Sequence, residues 1–433
     1  MTTFPDVLRS IRIALFAALI AACLPTHASG GNATVAGEIL VKLRSTATLA
    51  PLVDRYALTV LGQFGQRPIF RLRVSDSVGV DNTLAALAAE LDVLIAEPNT
   101  IHRSPEARKN VVWAIGTAQA YAAQWAPKAL RLPDAQRIAT GTGVRMAVLD
   151  TGVDARHPAL AGRLVRGWDF VDDDNDPSEA GGIGDAGYGH GTHVAGLLAM
   201  VAPGATIMPL RVLDANGEGN AWVLAEALLY AVDPDGDPNT DDGAHVINMS
   251  LGTTTRTRIF DAVAQLATCS TPVDNDPAND LSDPGYNVDE ARCNRFRGVL
   301  LVAAAGNEGT DAVREYPAAE SAHGLISVGA SGSNVRLAGF SNFGSWVRIA
   351  APGDGITSTV PGGGYATWSG TSMAAPLVAG VAALLHGYNR SLKPDDIVRR
   401  ITSRGSVLCG TNLRQIDAVA TLLDKAPPVP TCR

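Results

Sequence analysis

The stretch that decides the fold is SGTSMAAPLVAGVAALLH at 369–386. It opens with small residues and continues as a run of Ala, Val and Leu, which predicts a buried helix that begins near Ser372. A serine at a helix N-terminus usually serves only as an N-cap. The same position also places the hydroxyl beside free backbone N–H groups and the positive end of the helix dipole, where an oxyanion is stabilised.

Two further motifs carry groups that suit a nucleophilic serine. The segment VLDTG at 148–152 is an apolar strand that ends in the carboxylate of Asp150. The segment GHGTHVAG at 189–196 places His190 between two glycines at the start of a helix. A neutral imidazole accepts a proton near pH 7, since its unperturbed pKa is about 6.5. The chain lacks a His-Glu-x-x-His pattern, so His193 is interpreted as a packed helix residue rather than a metal ligand.

The surrounding pattern predicts an α/β fold with an open, mostly parallel sheet and helices on both faces. Apolar strands are predicted at 144–149, 205–210, 246–251 and 299–304, and helices between them at 191–200, 223–232 and 259–268. In such sheets the site lies at the carboxyl ends of the strands. There the segment AAGNEG at 304–309 supplies Asn307, whose side-chain amide can donate to an oxyanion.

The chain order Asp, His, Ser is the order of subtilisin. The motifs resemble the signature motifs of the subtilase family at 150–152, 190–196 and 370–376, and its oxyanion motif at 305–309. The resemblance covers residues from about 113 to 420. It implies a subtilisin-like fold, polypeptide substrates and no metal or organic cofactor in the chemistry.

The resemblance also implies a role for each residue. Ser372 is the nucleophile, His190 the general base and Asp150 the group that orients the imidazole. Asn307 and the backbone N–H of Ser372 hold the oxyanion. Nothing in this order of residues separates a broad endopeptidase from a processing protease with one target.

Substrate recognition is expected at two places. Ser250, Leu251 and Gly252 resemble the family's strand that pairs with an extended substrate, so backbone hydrogen bonds would supply affinity. Glu315 precedes the pair Tyr316-Pro317, and the residue at this position often lines the S1 pocket in the family. Its carboxylate would favour Lys or Arg before the scissile bond. The alternative, in which Glu315 points to solvent or pairs with Arg314, stays open.

The N-terminal third predicts a precursor. Residues 31–103 alternate strand, helix, strand, strand, helix, strand, a ferredoxin-like α+β pattern, with Asp81 as an N-cap. This unit resembles the family's propeptide. We therefore expect an inhibitory propeptide and linker at 29–109 and a subtilisin-like catalytic domain at 110–433, cut between Ser104 and Trp113, for example at Lys109-Asn110.

The first residues predict export. A positive start, an apolar run and a small-x-small site indicate a signal peptide at 1–28 and secretion. An alternative is a bacterial lipoprotein signal at 1–22 with a lipid on Cys23, which would give a periplasmic or membrane-anchored protein. The chain has 43 acidic and 35 basic residues and a net charge of −8, so nucleic acid is a poor partner.

Cysteine and acidic residues suggest two stabilising features. Either signal removes Cys23, and the remaining four cysteines allow three pairings, of which the short-loop pairs Cys269–Cys293 and Cys409–Cys432 are favoured. An acidic loop offers oxygen atoms at alternate positions, which resembles part of a calcium loop. Its expected ligands are Asp233, Asp235, Asp237, Asn239 and Asp241. A solvated acidic loop is the alternative.

Two other functions compete with the peptidase. The first is a non-catalytic scaffold on a subtilase fold, and this hypothesis is weak because competent residues fill all four catalytic positions. An esterase would use the same serine chemistry, but the expected substrate strand favours peptides.

Overall fold

A computed structural model describes residues 33–106, 114–269, 291–296, 298–320, 322–429 and 432. The N-terminal unit is a four-stranded antiparallel sheet in the order β2-β3-β1-β4 with two helices. Its elements are β1 (Thr34–Leu43), α1 (Leu49–Tyr56), β2 (Thr59–Gln63), β3 (Ile69–Arg73), α2 (Val80–Leu87) and β4 (Val93–Arg103). The element order is the one predicted from the sequence.

Helix α2 begins two residues earlier than its sequence suggests. Its N-cap is Gly79, whose φ of 81° lies in the left-handed region that glycine adopts without strain. Asp81 therefore lies inside the first turn and is not the N-cap, so that prediction is wrong. A carboxylate in the first turn still interacts favourably with the helix dipole.

The two faces of the N-terminal sheet have different partners. One face packs on its own helices through Ile39, Val41, Leu52, Phe70, Leu72 and Leu87. The other face packs on the C-terminal unit, where Phe64 stacks on Trp222 with ring centroids 3.8 Å apart. Glu97 of β4 accepts hydrogen bonds from the backbone N–H groups of Arg258 and Ile259, both at 2.9 Å.

The C-terminal unit is built on a nine-stranded sheet in the order β16-β17-β13-β12-β11-β10-β6-β8-β7. Its strands are β6 (Arg145–Asp150), β7 (Trp168–Asp169), β8 (Thr206–Arg211), β10 (Val246–Met249), β11 (Leu300–Ala304), β12 (Leu325–Ser331), β13 (Ile349–Pro352), β16 (Ser406–Val407) and β17 (Arg414–Gln415). All described pairings are parallel except that of β16 with β17. The predicted open, mostly parallel sheet is confirmed.

Helices cover both faces of this sheet, as predicted. One face carries α6 (His190–Val201) and α10 (Thr371–Tyr388), and the other carries α7 (Ala221–Val232) and α8 (Arg258–Thr268). Within the described residues, α10 is the one helix long and apolar enough to cross a membrane, but most of it is buried in this core. Shorter helices are α3 (Ala118–Ala123), α4 (Trp125–Ala129), α5 (Leu132–Ile138), α9 (291–296), α11 (Pro394–Ser403) and α12 (Ala418–Leu423).

Several short elements carry no strong sequence pattern. A second, antiparallel sheet has the order β14-β15-β5, with β14 (Ile356–Val360), β15 (Gly364–Trp368) and β5 (Ala114–Gly116). Strand β9 (Glu218–Asn220) pairs with the end of β4. The cysteines join in the two favoured pairs, with Cα atoms 5.5 Å apart in Cys269–Cys293 and 5.6 Å apart in Cys409–Cys432.

Candidate active site

Asp150 and His190 are joined by a direct hydrogen bond. Asp150 is the last residue of β6, and His190 is the first residue of α6. Nδ1 of His190 lies 2.6 Å from Oδ1 of Asp150, and both side chains are buried. The backbone N–H of Thr151 donates to the same carboxylate oxygen at 2.8 Å, which holds it against the ring.

Ser372 lies at the start of α10 on the other side of His190. Its hydroxyl donates to Oε2 of Glu106 at 2.6 Å, and Nε2 of His190 lies 3.0 Å from the same oxygen. One carboxylate oxygen therefore lies between the predicted nucleophile and the predicted base. All three residues are buried.

Asn307 completes this group from the turn after β11. Its Nδ2 donates to Oε1 of Glu106 at 2.8 Å. Its Oδ1 accepts hydrogen bonds from the backbone N–H and the hydroxyl of Thr371, at 2.8 and 3.0 Å. Because Thr371 occupies the amide oxygen, the amide N–H₂ is left to donate to Glu106, whose other carboxylate oxygen contacts Ser372. An oxyanion donor beside the nucleophile requires this orientation.

Glu106 is the residue of this site that the sequence analysis did not single out. Its Oε1 is held by Asn307, where the carbonyl oxygen of a peptide under attack would lie, and its Oε2 lies against Ser372 and His190. No local motif marks it. The only sequence signal is its position inside the window predicted for the propeptide cut.

Carboxylates on both sides of the imidazole determine the charge of His190 in this arrangement. Burial would lower the pKa of His190, but the negative charge and hydrogen bond of Asp150 and those of Glu106 raise it to about 10. With a carboxylate on each ring nitrogen, both nitrogens donate and His190 is a cation. Burial would raise the pKa of Glu106, but its contacts with His190, Ser372 and Asn307 lower it. An imidazolium cannot accept the proton of Ser372.

The end of β4 reaches this site as an extended strand. Residues Ile101–Arg103 pair antiparallel with β9. On the other side, the backbone of Arg103 exchanges two hydrogen bonds with Gly252, at 2.9 and 2.8 Å. The segment from Ile101 to Arg103 thus lies between β9 on one side and the predicted substrate strand, at Gly252, on the other.

Ser250 and Leu251 are buried at the end of β10. The Ser250 hydroxyl donates to the backbone oxygen of Ser372 at 3.0 Å. This hydrogen bond connects the predicted substrate strand to the start of α10.

Glu315 is fully buried beside Gly252, which excludes its solvent-facing alternative. A Cβ atom on Gly252 would lie 2.5 Å from Cγ of Glu315, so only glycine allows this approach. The following peptide bond, between Tyr316 and Pro317, is cis. The carboxyl group of Glu315 therefore lies beside Gly252, the residue of the predicted substrate strand that pairs with Arg103.

Glu179 is a second carboxyl group near this site that the sequence analysis missed, and its side chain is partly buried. It accepts hydrogen bonds from backbone N–H groups of Gly189 and Thr192 and from the hydroxyls of Thr151 and Thr192. Burial raises the pKa of Glu179 to about 7, although the hydrogen bonds from Thr192 and Gly189 favour the carboxylate. Its sequence neighbours, in a polar loop, give no signal of this position.

His193 is a packed helix residue, as its sequence context suggests. Its ring stacks on Trp368 with centroids 4.5 Å apart, and its Nε2 lies 3.2 Å from the carbonyl oxygen of Ala366. Burial, with a smaller effect of the His190 charge, lowers its pKa to about 3. It is therefore neutral and buried against the aromatic ring.

The acidic loop gathers a different set of residues from the one expected. Carboxylate oxygens of Asp233, Asp235 and Asp242 lie within 4.8 Å of one another. Asp237 accepts hydrogen bonds from Asn239, and Asp241 pairs with Arg145 at 3.1 Å. Burial and neighbouring carboxylates raise the pKa values of Asp233 and Asp242. The carboxylates of Asp237 and Asp241 thus lie outside this cluster, and Asp242 joins it.

Comparisons with known sequences show which family the chain resembles. The profile described as the subtilase family matches residues 141–414. The chain is 39% identical to thermitase of Thermoactinomyces vulgaris over 278 residues, which cover 62% of this chain and 84% of thermitase. It is 33% identical over 380 residues to a thermophilic serine proteinase of Bacillus sp. (strain AK1), with 84% of this chain and 81% of that protein covered.

Solved structures agree on the fold. The crystal structure of fervidolysin from Fervidobacterium pennivorans, a keratinolytic enzyme related to subtilisin, matches with a TM-score of 0.69 at 24% identity. The match covers 92% of this chain and 62% of fervidolysin, so this chain spans less than two thirds of that protein. A cold adapted subtilisin-like serine proteinase matches with a TM-score of 0.50 at 30% identity and covers 72% of this chain and 96% of that one. The chain belongs to the subtilase family of serine endopeptidases.

Proposed function

We propose that this chain is a secreted serine endopeptidase that is made as a self-processing precursor and acts through Asp150, His190 and Ser372. The observation that carries the proposal is the convergence of Ser372, His190 and Asn307 on one carboxylate, with Asp150 behind the imidazole. These are the positions that acyl transfer requires of a nucleophile, a base and an oxyanion donor.

In the active enzyme a peptide carbonyl takes the place of the Glu106 carboxylate. The hydroxyl of Ser372 attacks the carbonyl carbon while His190 accepts its proton, and Asp150 stabilises the imidazolium that forms. Asn307 donates to the oxyanion. His190 then protonates the leaving amine, and water hydrolyses the acyl-enzyme by the same steps in reverse. No metal or organic cofactor takes part.

Residues up to Glu106 act as the inhibitory propeptide. Two features support this: the chain at Ile101–Arg103 lies where an extended substrate would pair, and Glu106 keeps His190 protonated. A cut at or shortly after Glu106 would free the cleft. The junction Lys109-Asn110 lies outside the described residues, so the wider window from Ser104 to Trp113 remains our proposal.

Polypeptides are the proposed substrates. The strand pairing between Arg103 and Gly252 uses backbone groups only, which every peptide offers and a simple ester does not. Glu315 is the proposed determinant for Lys or Arg before the scissile bond. These observations favour an endopeptidase over an esterase, and the complete set of catalytic groups favours it over a scaffold.

Secretion is proposed from the signal at 1–28, with a lipid on Cys23 as the alternative that would leave the enzyme periplasmic or bound to a membrane. Residues 1–32 lie outside the described part of the chain. The pairs Cys269–Cys293 and Cys409–Cys432 support export, since disulfides persist in oxidising compartments.

Structural calcium is proposed at Asp233, Asp235 and Asp242. Carboxylate oxygens are the ligands that calcium prefers. Burial and then repulsion between the carboxylates raise the pKa values of Asp233 and Asp242, and a cation would relieve the repulsion. This ion would stabilise the loop and would have no role in the chemistry.

The proposed function is tested by purifying the precursor beside a Ser372→Ala copy. We expect the wild-type chain to shed about its first hundred residues and then to digest casein, while the variant does neither. If both chains stay intact and neither cuts casein at neutral pH, the scaffold function gains support. If both are active, Ser372 is not the nucleophile.

A further inference from the structure

We propose that Glu179 is a positioning residue of the active site: its carboxylate fixes the start of α6, which carries His190, against the end of β6, which carries Asp150. This inference rests on the proposed function. It goes beyond that function by assigning a role to a partly buried carboxyl group that takes no part in the acyl-transfer steps.

The contacts of Glu179 are divided between the two elements. Its Oε1 accepts from the backbone N–H and the hydroxyl of Thr192, both at 2.9 Å. Its Oε2 accepts from the backbone N–H of Gly189 and from the hydroxyl of Thr151, both at 3.1 Å. Gly189 and Thr192 flank His190, whereas Thr151 follows Asp150.

A second hydrogen bond closes this arrangement. The hydroxyl oxygen of Thr151 accepts from the backbone N–H of Gly191 at 2.9 Å, while its proton is donated to Glu179. Glu179 and Thr151 thus connect β6 to the first turn of α6 beside the bond between Asp150 and His190. A shift of this turn would change the distance from His190 to Ser372.

At a pH above its pKa of about 7, Glu179 is ionised and only accepts hydrogen bonds, as this position requires. The first backbone N–H groups of a helix have no partner within the helix and are usually met by an N-cap side chain. Here the N-cap is Gly189, with a φ of 85°, so no side chain serves this purpose. Four donors point at the two oxygens of Glu179. A glutamine amide would direct an N–H₂ group at one of these donors.

The expected effect is on the rate and not on substrate binding. Misplacement of a catalytic group by about 1 Å can reduce the rate about a hundredfold. The groups that pair with the extended chain, at Gly252 and β9, make no hydrogen bond with Glu179 in the described residues. A Glu179→Gln enzyme should therefore lose about tenfold to a hundredfold in kcat with KM changed less than about twofold.

Asp417→Asn is the matched control. Asp417 is a carboxylate that also accepts from a helix N-terminus, at Ala420 of α12, but it pairs with Arg131 and has no hydrogen bond or ion pair with Asp150, His190 or Ser372. Both variants replace a carboxylate with an amide at a helix N-terminus. Both should lower Tm, and only Glu179→Gln should lower kcat.

The experiment uses full-length precursors activated with a trace of wild-type enzyme, because a slow variant processes itself slowly. A Ser372→Ala precursor treated in the same way gives the background to subtract. Kinetics on one peptide series then separate kcat from KM, and thermal unfolding gives Tm. An unchanged kcat for Glu179→Gln, or an equal loss in Asp417→Asn, would overturn the proposal.

A second pair of variants covers the case in which Glu179→Gln does not fold. Thr151→Val removes the hydroxyl that joins Glu179 to Gly191, whereas Thr151→Ser keeps it. We expect kcat to fall in Thr151→Val and to recover in Thr151→Ser. Equal kcat values in these two variants would contradict the positioning role. If Ser372→Ala itself retained activity, the proposed function would fail independently of Glu179.

Discussion

Glu315 is the residue on which the substrate preference should depend. A buried carboxylate beside the substrate strand should bind a basic side chain through a charge-assisted hydrogen bond. We expect the wild-type enzyme to prefer Arg over Leu before the scissile bond. Glu315→Gln should reduce kcat/KM for the Arg peptide by about tenfold to a hundredfold and leave the Leu peptide nearly unchanged. A wild-type enzyme without preference for Arg would contradict this assignment.

Glu106 should control how fast the precursor processes itself. Glu106→Gln keeps the shape of the side chain but removes one of the two charges beside His190, so self-cleavage should accelerate by about tenfold. Glu90→Gln is the control, because Glu90 lies in the same unit and contacts Tyr56, outside the cleft. The first-order rate of precursor loss is the measurement. Equal rates of self-cleavage in the two variants would show that the charge of Glu106 does not slow processing of the precursor.

The pH dependence of this step follows from the charge of His190. Its pKa is raised to about 10 while Glu106 is bound, so the contact is strongest below the ordinary value of about 6.5 and is lost as pH rises through 10. Self-cleavage of the wild-type precursor should therefore accelerate toward pH 10. In Glu106→Gln the same rise should occur at lower pH.

Individual residues differ in how well their sequence context predicts them. Asp150, His190 and Ser372 lie in long motifs at strand ends and helix starts, where the direction of a parallel sheet brings them together. Glu106 and Glu179 lie in no motif. Along the sequence, Glu106 is 266 residues from its partner Ser372, and Glu179 is 28 residues from its partner Thr151. Only the folded chain shows that these residues are in contact.

At the scale of elements, the N-terminal sheet should be held by its contact with α7. Phe64→Ala removes the ring that stacks on Trp222, a buried aromatic contact of the kind that dominates interfaces. We expect the cleaved N-terminal unit to dissociate about thirtyfold more readily, equivalent to about 2 kcal/mol. Co-elution of the two parts in size-exclusion chromatography measures this. Leu91→Ala, at a side chain that is 90% exposed, should have no effect.

Elements with strong periodicity were predictable, and short ones were not. The long apolar runs gave β6, β8, β10 and β11, since a strand buried on both faces must be apolar throughout. Strands β5 and β9 have three residues each, too few for a pattern to be recognised. The N-cap of α2 was misplaced because glycine at position 79 acts through its backbone and not through a side chain.

At the scale of the whole molecule, bound calcium should raise the unfolding temperature. An ion present at about 100 times its Kd adds about 2.7 kcal/mol, which corresponds to roughly 5–10 °C in Tm for a domain of this size. We expect a chelator to lower Tm in the wild type and to have no effect in Asp233→Asn/Asp242→Asn. Asp176→Asn, in another acidic loop, is the control. A wild-type Tm that does not respond to chelator would contradict calcium binding.

The strand β4 belongs to the N-terminal sheet at one end and to the cleft at the other, so a single covalent chain would carry the proposed inhibitor to its site. While the chain is intact, the effective concentration of this proposed inhibitor would be on the order of millimolar, however dilute the protein. After the cut, inhibitor and enzyme are separate molecules, and their association depends on the volume they share. Crowded molecules would stay inhibited, and dilution alone would then release activity, without a further signal.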